Sequence, residues 1–224
     1  MTGVQTCALP ISIVQLDIPA VNGVAHRIAL VSAPPSRYLI DRLNSDPDLT
    51  IFRAALSRAD SGAVPASSLV GALGNIGANL TVFAPSNQAF KNVISALTGG
   101  AIPPNAPDAV FIGFLGSSSI STQTVKGIVV YHILGLGRAF LNNFPITATS
   151  YPTLLNGGIP THPGVSLKVT FTGPATITSA TVKGVANATA SNIAINPTPD
   201  PNGTSDQHFI NGTLHKIDQV LLPQ

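Results

Sequence analysis

The chain has 224 residues, and 44% of them are hydrophobic, enough to build a sizeable core. Only 9% are charged, against roughly 25% in ordinary soluble domains. The net charge is +2 with no basic cluster, which excludes the Lys/Arg stripe that nucleic-acid binding needs; a lone cysteine, Cys7, excludes an internal disulfide framework.

No run reaches the ~18 apolar residues of a membrane span. Polarity comes from Ser, Thr and Asn, with 20 Gly and 19 Pro, so the expectation is a loop-rich protein with many strands. Residues 1–11 lack the basic and apolar regions of a signal peptide and read as a non-native leader. Ser12–Pro19 alternates apolar and polar residues. With Val24–Val31 it forms a hairpin across the Pro19–Gly23 turn. Pro34-Pro35 breaks the chain.

Tyr38, Leu39 and Leu43 suit a short helix. Asp46-Pro47 starts the next one, with Asp46 as cap and Pro47 at the first helical position, where its missing N–H costs nothing. Leu49, Phe52, Leu56 and Ala59 follow at helical spacing, and Ser67–Leu73 reads as a further short helix capped by a serine. Leu80–Ala84 is a buried strand ended by Pro85. Ser86 caps a helix whose Phe90, Val93, Ile94 and Leu97 share one face, and Gly99-Gly100 closes it. After a Pro-rich loop, Ala109–Leu115 is a short apolar helix. Ile120–Leu134 is a longer one, with Val125, Ile128, Val129, His132 and Ile133 on a single stripe and Tyr131 at its margin.

Beyond Arg138 the character changes to β. Ile146–Leu155, Ser166–Thr172, Ala175–Val182 and Val185–Ile195 are strands, 196–206 is a turn-dense loop, and one strand closes the chain. Helices in the first half and strands in the second predict an α+β domain.

The closing stretch Ile210-Asn-Gly-Thr-Leu-His-Lys-Ile-Asp-Gln-Val-Leu-Leu-Pro223 repeats a stretch near the front. Asn22, Gly23, His26, Arg27, Ile28 and Val31 match Asn211, Gly212, His215, Lys216, Ile217 and Val220, each pair 189 residues apart. Two copies of one closing signature around a single body read as a cut from a tandem array. Residues 12–35 are then the C-terminal remnant of a preceding domain, and 36–224 one complete domain.

Three blocks resemble the fasciclin domain family. Thr81-Val-Phe-Ala-Pro-Ser-Asn-Gln-Ala-Phe90 is similar to its first box, with Thr81, Phe83, Ala84, Pro85 and Phe90 in place. Tyr131-His132 is similar to its central Tyr-His motif. The closing stretch, through Asn211, Gly212, His215, Ile217 and Asp218, is similar to its second box. The front copy departs from that box at Ala29, where the family has Asp. The resemblance implies a wedge of strands with helices packed on one side of a β-sandwich-like sheet. It also implies an extracellular or cell-surface adhesion module, often in tandem with sister domains, that meets a protein or a glycan and uses no cofactor. In animal relatives the surroundings of the Tyr-His motif are tied to integrin binding, which makes Tyr131 and His132 the candidate binding residues.

The residues themselves allow a plainer reading. His132 is a core histidine whose ring bonds a backbone carbonyl, His215 shares a strand face with Ile217, and Asp218 accepts backbone N–H groups. No catalytic constellation is visible. Gly116-Ser-Ser-Ser119 lacks a nucleophile elbow, no carboxylate pair is set for acid and base work, and the five His have no zinc spacing, so no metal is expected. The other class of function left open is a small-ligand or hydrolytic cleft near Tyr131, His132 or His208. Four Asn-x-Ser/Thr sequons occur, at Asn79, Asn187, Asn202 and Asn211; only Asn202 lies in a predicted loop.

Overall fold

A computed structural model describes residues 13–28, 34–64, 67–135, 137–172 and 176–224. The expected leader, residues 1–11, and the Val31 end of the front repeat lie outside the described residues.

The first described element is an antiparallel hairpin, β1 (Ile13–Ala20) and β2 (Gly23–Ile28). Among the described residues, six α-helices and eight strands follow. Helices α1 (Leu39–Ser45), α2 (Thr50–Ala59) and α3 (Leu69–Gly74) precede strand β3 (Leu80–Pro85). Next come α4 (Asn87–Leu97), α5 (Asp108–Gly116), α6 (Thr122–Tyr131) and the two-residue strand β4 (Ile133–Leu134). The rest is β5 (Thr149–Tyr151), β6 (Val165–Thr172), β7 (Thr176–Lys183), β8 (Ser191–Asn192), β9 (Gln207–Phe209) and β10 (Gly212–Ile217).

Helix starts follow local chemistry. Ser68, Ser86 and Ser121 accept hydrogen bonds from the backbone N–H groups of Gly71, Ala89 and Thr124. Asp46 accepts from Asp48 N–H, but the turn it caps, Pro47–Leu49, is a 3-10 turn, and the α-helix proper begins at Thr50. On α4, Phe90 and Ile94 are buried, whereas Leu97 is exposed, so the apolar face ends one turn before the helix does.

Strand β3 is buried at every residue, as befits a strand covered on both faces. It pairs in parallel with β10 and antiparallel with β4, and β9 flanks β10, giving the order β4-β3-β10-β9. A second sheet runs β5-β6-β7-β8. Alternation along β3 and β10 then sorts the core. Leu80, Val82, Ala84 and Leu214 join a cluster with Leu39, Phe52, Leu56, Phe111 and Val129 from the helices. Phe83 and Ile217 join Val165, Leu167, Val169, Ala180 and Val182 of the second sheet. The molecule is thus layered helices, sheet, sheet, with β3 and β10 in the middle.

Three further expectations about element bounds are corrected. The helix read as Ile120–Leu134 stops at Tyr131; His132 N–H bonds Val129 O, and Ile133–Leu134 pair with Val82 and Thr81 instead of continuing the helix. The strand read over Ile146–Leu155 shrinks to Thr149–Tyr151, because Pro152 breaks it and Thr153 caps a 3-10 turn over Leu154–Gly157. The strand read over Val185–Ile195 is paired only at Ser191–Asn192 and through an Ile193–Ile217 bridge. There Asn187 turns the chain by donating to Val220 O and accepting from Leu222 N–H.

Candidate functional site

The C-terminus of α6 places two side chains on opposite sides of the central sheet. His132 is fully buried beside Phe52, ring centroids 5.9 Å apart. Its Nδ1–H donates to Ile128 O at 2.8 Å, and its Nε2 accepts Leu221 N–H at 2.8 Å. Both ring nitrogens are therefore used, in one neutral tautomer. Burial pushes the His132 pKa down to about 4, partly opposed by the Ile128 carbonyl. Tyr131 is equally buried, not at the margin of an apolar stripe. The helix ends at Tyr131, and its ring enters the space between the two sheets. Its hydroxyl donates to Gly164 O at 2.6 Å and accepts Val185 N–H at 3.1 Å, while the ring meets the edge of His162. Burial raises its pKa.

The two boxes meet in the β3–β10 pair. Thr81 lies opposite Thr213, and their hydroxyls are 3.1 Å apart; Thr81 also donates to Gly137 O and accepts Ala139 N–H. His215 stacks on Phe83 at 5.8 Å, donates from Nε2 to Ala139 O and accepts Asp206 N–H at Nδ1. Burial lowers its pKa, with Asp206 pulling the other way. Asn211 is buried and joins three elements: its Oδ1 accepts Leu39 N–H, and its Nδ2 donates to Leu73 O. Gly212 permits close approach, since a Cβ there would lie 2.1 Å from Leu80 O. Ala84 and Phe90 pack in the helix-side core, and Pro85 ends β3 opposite Ile217. Asp218 is exposed; its carboxylate accepts Asn192 N–H, Ser191 Oγ–H and an Asn192 side-chain N–H.

Sequence reasoning missed Asn87 and Arg42. Asn87 follows the serine cap of α4 and bonds Ile51 N–H, Pro47 O, Thr50 Oγ1 and Asp108, tying α4 to α2 and α5. Arg42, also buried, pairs with Asp46 and Asp200 and donates to Gly203 O, so it anchors the 196–206 loop. Its spacing to Asp46, four residues on, is the only local signal it carries.

One cleft of about 320 Å³ opens between β4 and the second sheet. Leu134, Phe144, Tyr151, Pro152 and Leu167 line it with Arg138. Tyr131, His132 and His208 do not. Arg138 is held by Asn79 Oδ1, Ile210 O and His208 Nε2. Among the described residues, no group of His, Cys, Asp and Glu could hold a metal ion. No helix among them is long and apolar enough to cross a membrane. Of the sequons, Asn187 and Asn211 are buried, while Asn79 and Asn202 are exposed.

This is the layered α+β architecture of a fasciclin-type domain. The family model described as Fasciclin domain matches residues 47–223, and the chain belongs to that family. Human periostin is 27% identical over 205 residues, which cover 91% of this chain and 18% of periostin. The FAS1 domain pair of the insect cell adhesion molecule fasciclin I has the same fold. It matches with a TM-score of 0.55 at 17% identity, over 95% of this chain and 60% of that one. The chain thus spans only part of the length of both relatives.

Proposed function

We propose that the chain is a non-catalytic adhesion module working outside the cell, with an extracellular protein or a glycan as its partner. The burial of the signature side chains supports this reading most directly. Tyr131, His132 and His215 are fully enclosed, and every polar atom of their rings has a partner. Groups so occupied build a rigid frame and leave recognition to loops and the low-charge surface. Membership in the fasciclin family, with a similarity to periostin and to an insect cell adhesion molecule, points the same way.

The test is attachment of cells, matrix proteins and glycan arrays to the immobilised protein, scored per folded molecule. His132→Ala is expected to lower the melting temperature while leaving attachment per folded molecule close to wild type. Unchanged stability with abolished attachment would make His132 a recognition residue. The competing small-ligand reading has the cleft beside Arg138 in its favour. Saturable uptake of a small molecule, lost on filling that cleft with Leu167→Phe, together with no macromolecular attachment, would replace adhesion with that function.

A further inference from the structure

The front hairpin and the closing hairpin are twins in more than sequence. Gly23 pairs with Ala20, Val24 with Pro19 and Ala25 with Ile18; at the other end Gly212 pairs with Phe209, Thr213 with His208 and Leu214 with Gln207. Each pair is the other moved by 189 residues. The only described non-glycine residues with positive φ are Asp17 at 53° and Asp206 at 51°, again 189 apart. Asp17 N–H donates to His26 Nδ1 at 3.1 Å, and Asp206 N–H donates to His215 Nδ1 at 3.2 Å.

Their surroundings differ completely. Thr213, Leu214 and His215 are fully buried, whereas Val24 is 62% exposed and the described residues of β1 and β2 are exposed, apart from a half-buried Ile18. Gly212 must be glycine because β3 passes so close. Gly23 has nothing within 4 Å of where its Cβ would stand, and its φ is not in the left-handed region. The glycine, the Asp–His clasp and the apolar side chains of the hairpin all fit a neighbour of the β3 kind. A two-stranded hairpin alone is only marginally stable in water.

We propose that β1–β2 is the closing ribbon of a second fasciclin unit in the same polypeptide. Among the described residues the outer edge of β2 is unpaired, and it takes a strand from that unit's body, running parallel to β2 as β3 runs along β10. A second copy of this chain does not fit the role, because its β3 is already paired on both edges, with β4 and β10. The inference is independent of what the module adheres to.

Amide hydrogen exchange tests it. In the chain as it stands, the amides of Val24–Arg27 should exchange near the rate of an unstructured peptide while those of Thr213–Lys216 are protected. Residues 36–205 of this chain are then fused ahead of Asp17, which supplies a body of the right kind in cis. Exchange at Val24–Arg27 should slow by on the order of 100-fold or more. An unchanged rate in the extended protein overturns the proposal. So does strong protection already present in the unextended chain. Protection that grows with protein concentration would assign the edge to a second copy and overturn it equally.

Discussion

His132 shows how a histidine can hold a fold together and still limit it. Its ring bridges Ile128 O in α6 and Leu221 N–H in the closing segment, and the second bond needs the neutral form, because a protonated Nε2 cannot accept. Because its pKa falls from 6.5 to about 4 on folding, the unfolded chain binds the proton more readily. Stability is therefore complete above pH 6.5 and is lost as the pH falls toward 4, by about 3 kcal/mol from this residue. His215 shifts in the same direction and adds to the loss. Urea unfolding between pH 7.5 and 4.5 should show this decline, and a flat profile would refute it. Tyr131→Phe tests the neighbouring residue. It leaves Val185 N–H and Gly164 O without their shared partner, which should cost about 1–3 kcal/mol by chemical denaturation. No cost would mean that water takes over both bonds. At this scale the sequence placed His132 on the core side through its stripe spacing. It misplaced Tyr131, because the stripe marks one buried face, and here the second sheet covers the side on which Tyr131, the last helical residue, lies.

At the scale of elements, the contact of β3 with β10 organises the rest. Gly212 is the point of closest approach, and a methyl group there would overlap Leu80 O and press on Leu39 Cδ1. Gly212→Ala should therefore lower stability by more than about 3 kcal/mol or prevent folding, measured as the midpoint of thermal or urea unfolding. Wild-type stability would show that the two strands can part without cost. Local signals served the helices well, since serine caps and apolar spacing act within a turn or two. They served short strands poorly. β4, β8 and β9 have two or three residues each, too few for any alternation to register, and they are strands only because a neighbouring edge captures them.

For the whole molecule, the core clusters on both sides of the central sheet are built from residues beyond Tyr38. Deleting residues 1–33 should leave a domain that unfolds cooperatively, with its melting temperature within about 2 °C of the full chain. Loss of cooperative unfolding would show that the front segment belongs to this core. The sequence by itself determined the class, the serine-capped starts of α3 and α4, the signature boxes and the repeat at 189 residues, because caps, periodicity and composition act over short stretches of chain. The tertiary structure alone decided that β3 runs parallel to β10 across more than a hundred residues. It alone enclosed Tyr131 between two sheets and left the front hairpin uncovered while its twin is buried. Those outcomes depend on which surfaces exclude water together, and no local pattern records the partner a surface will meet.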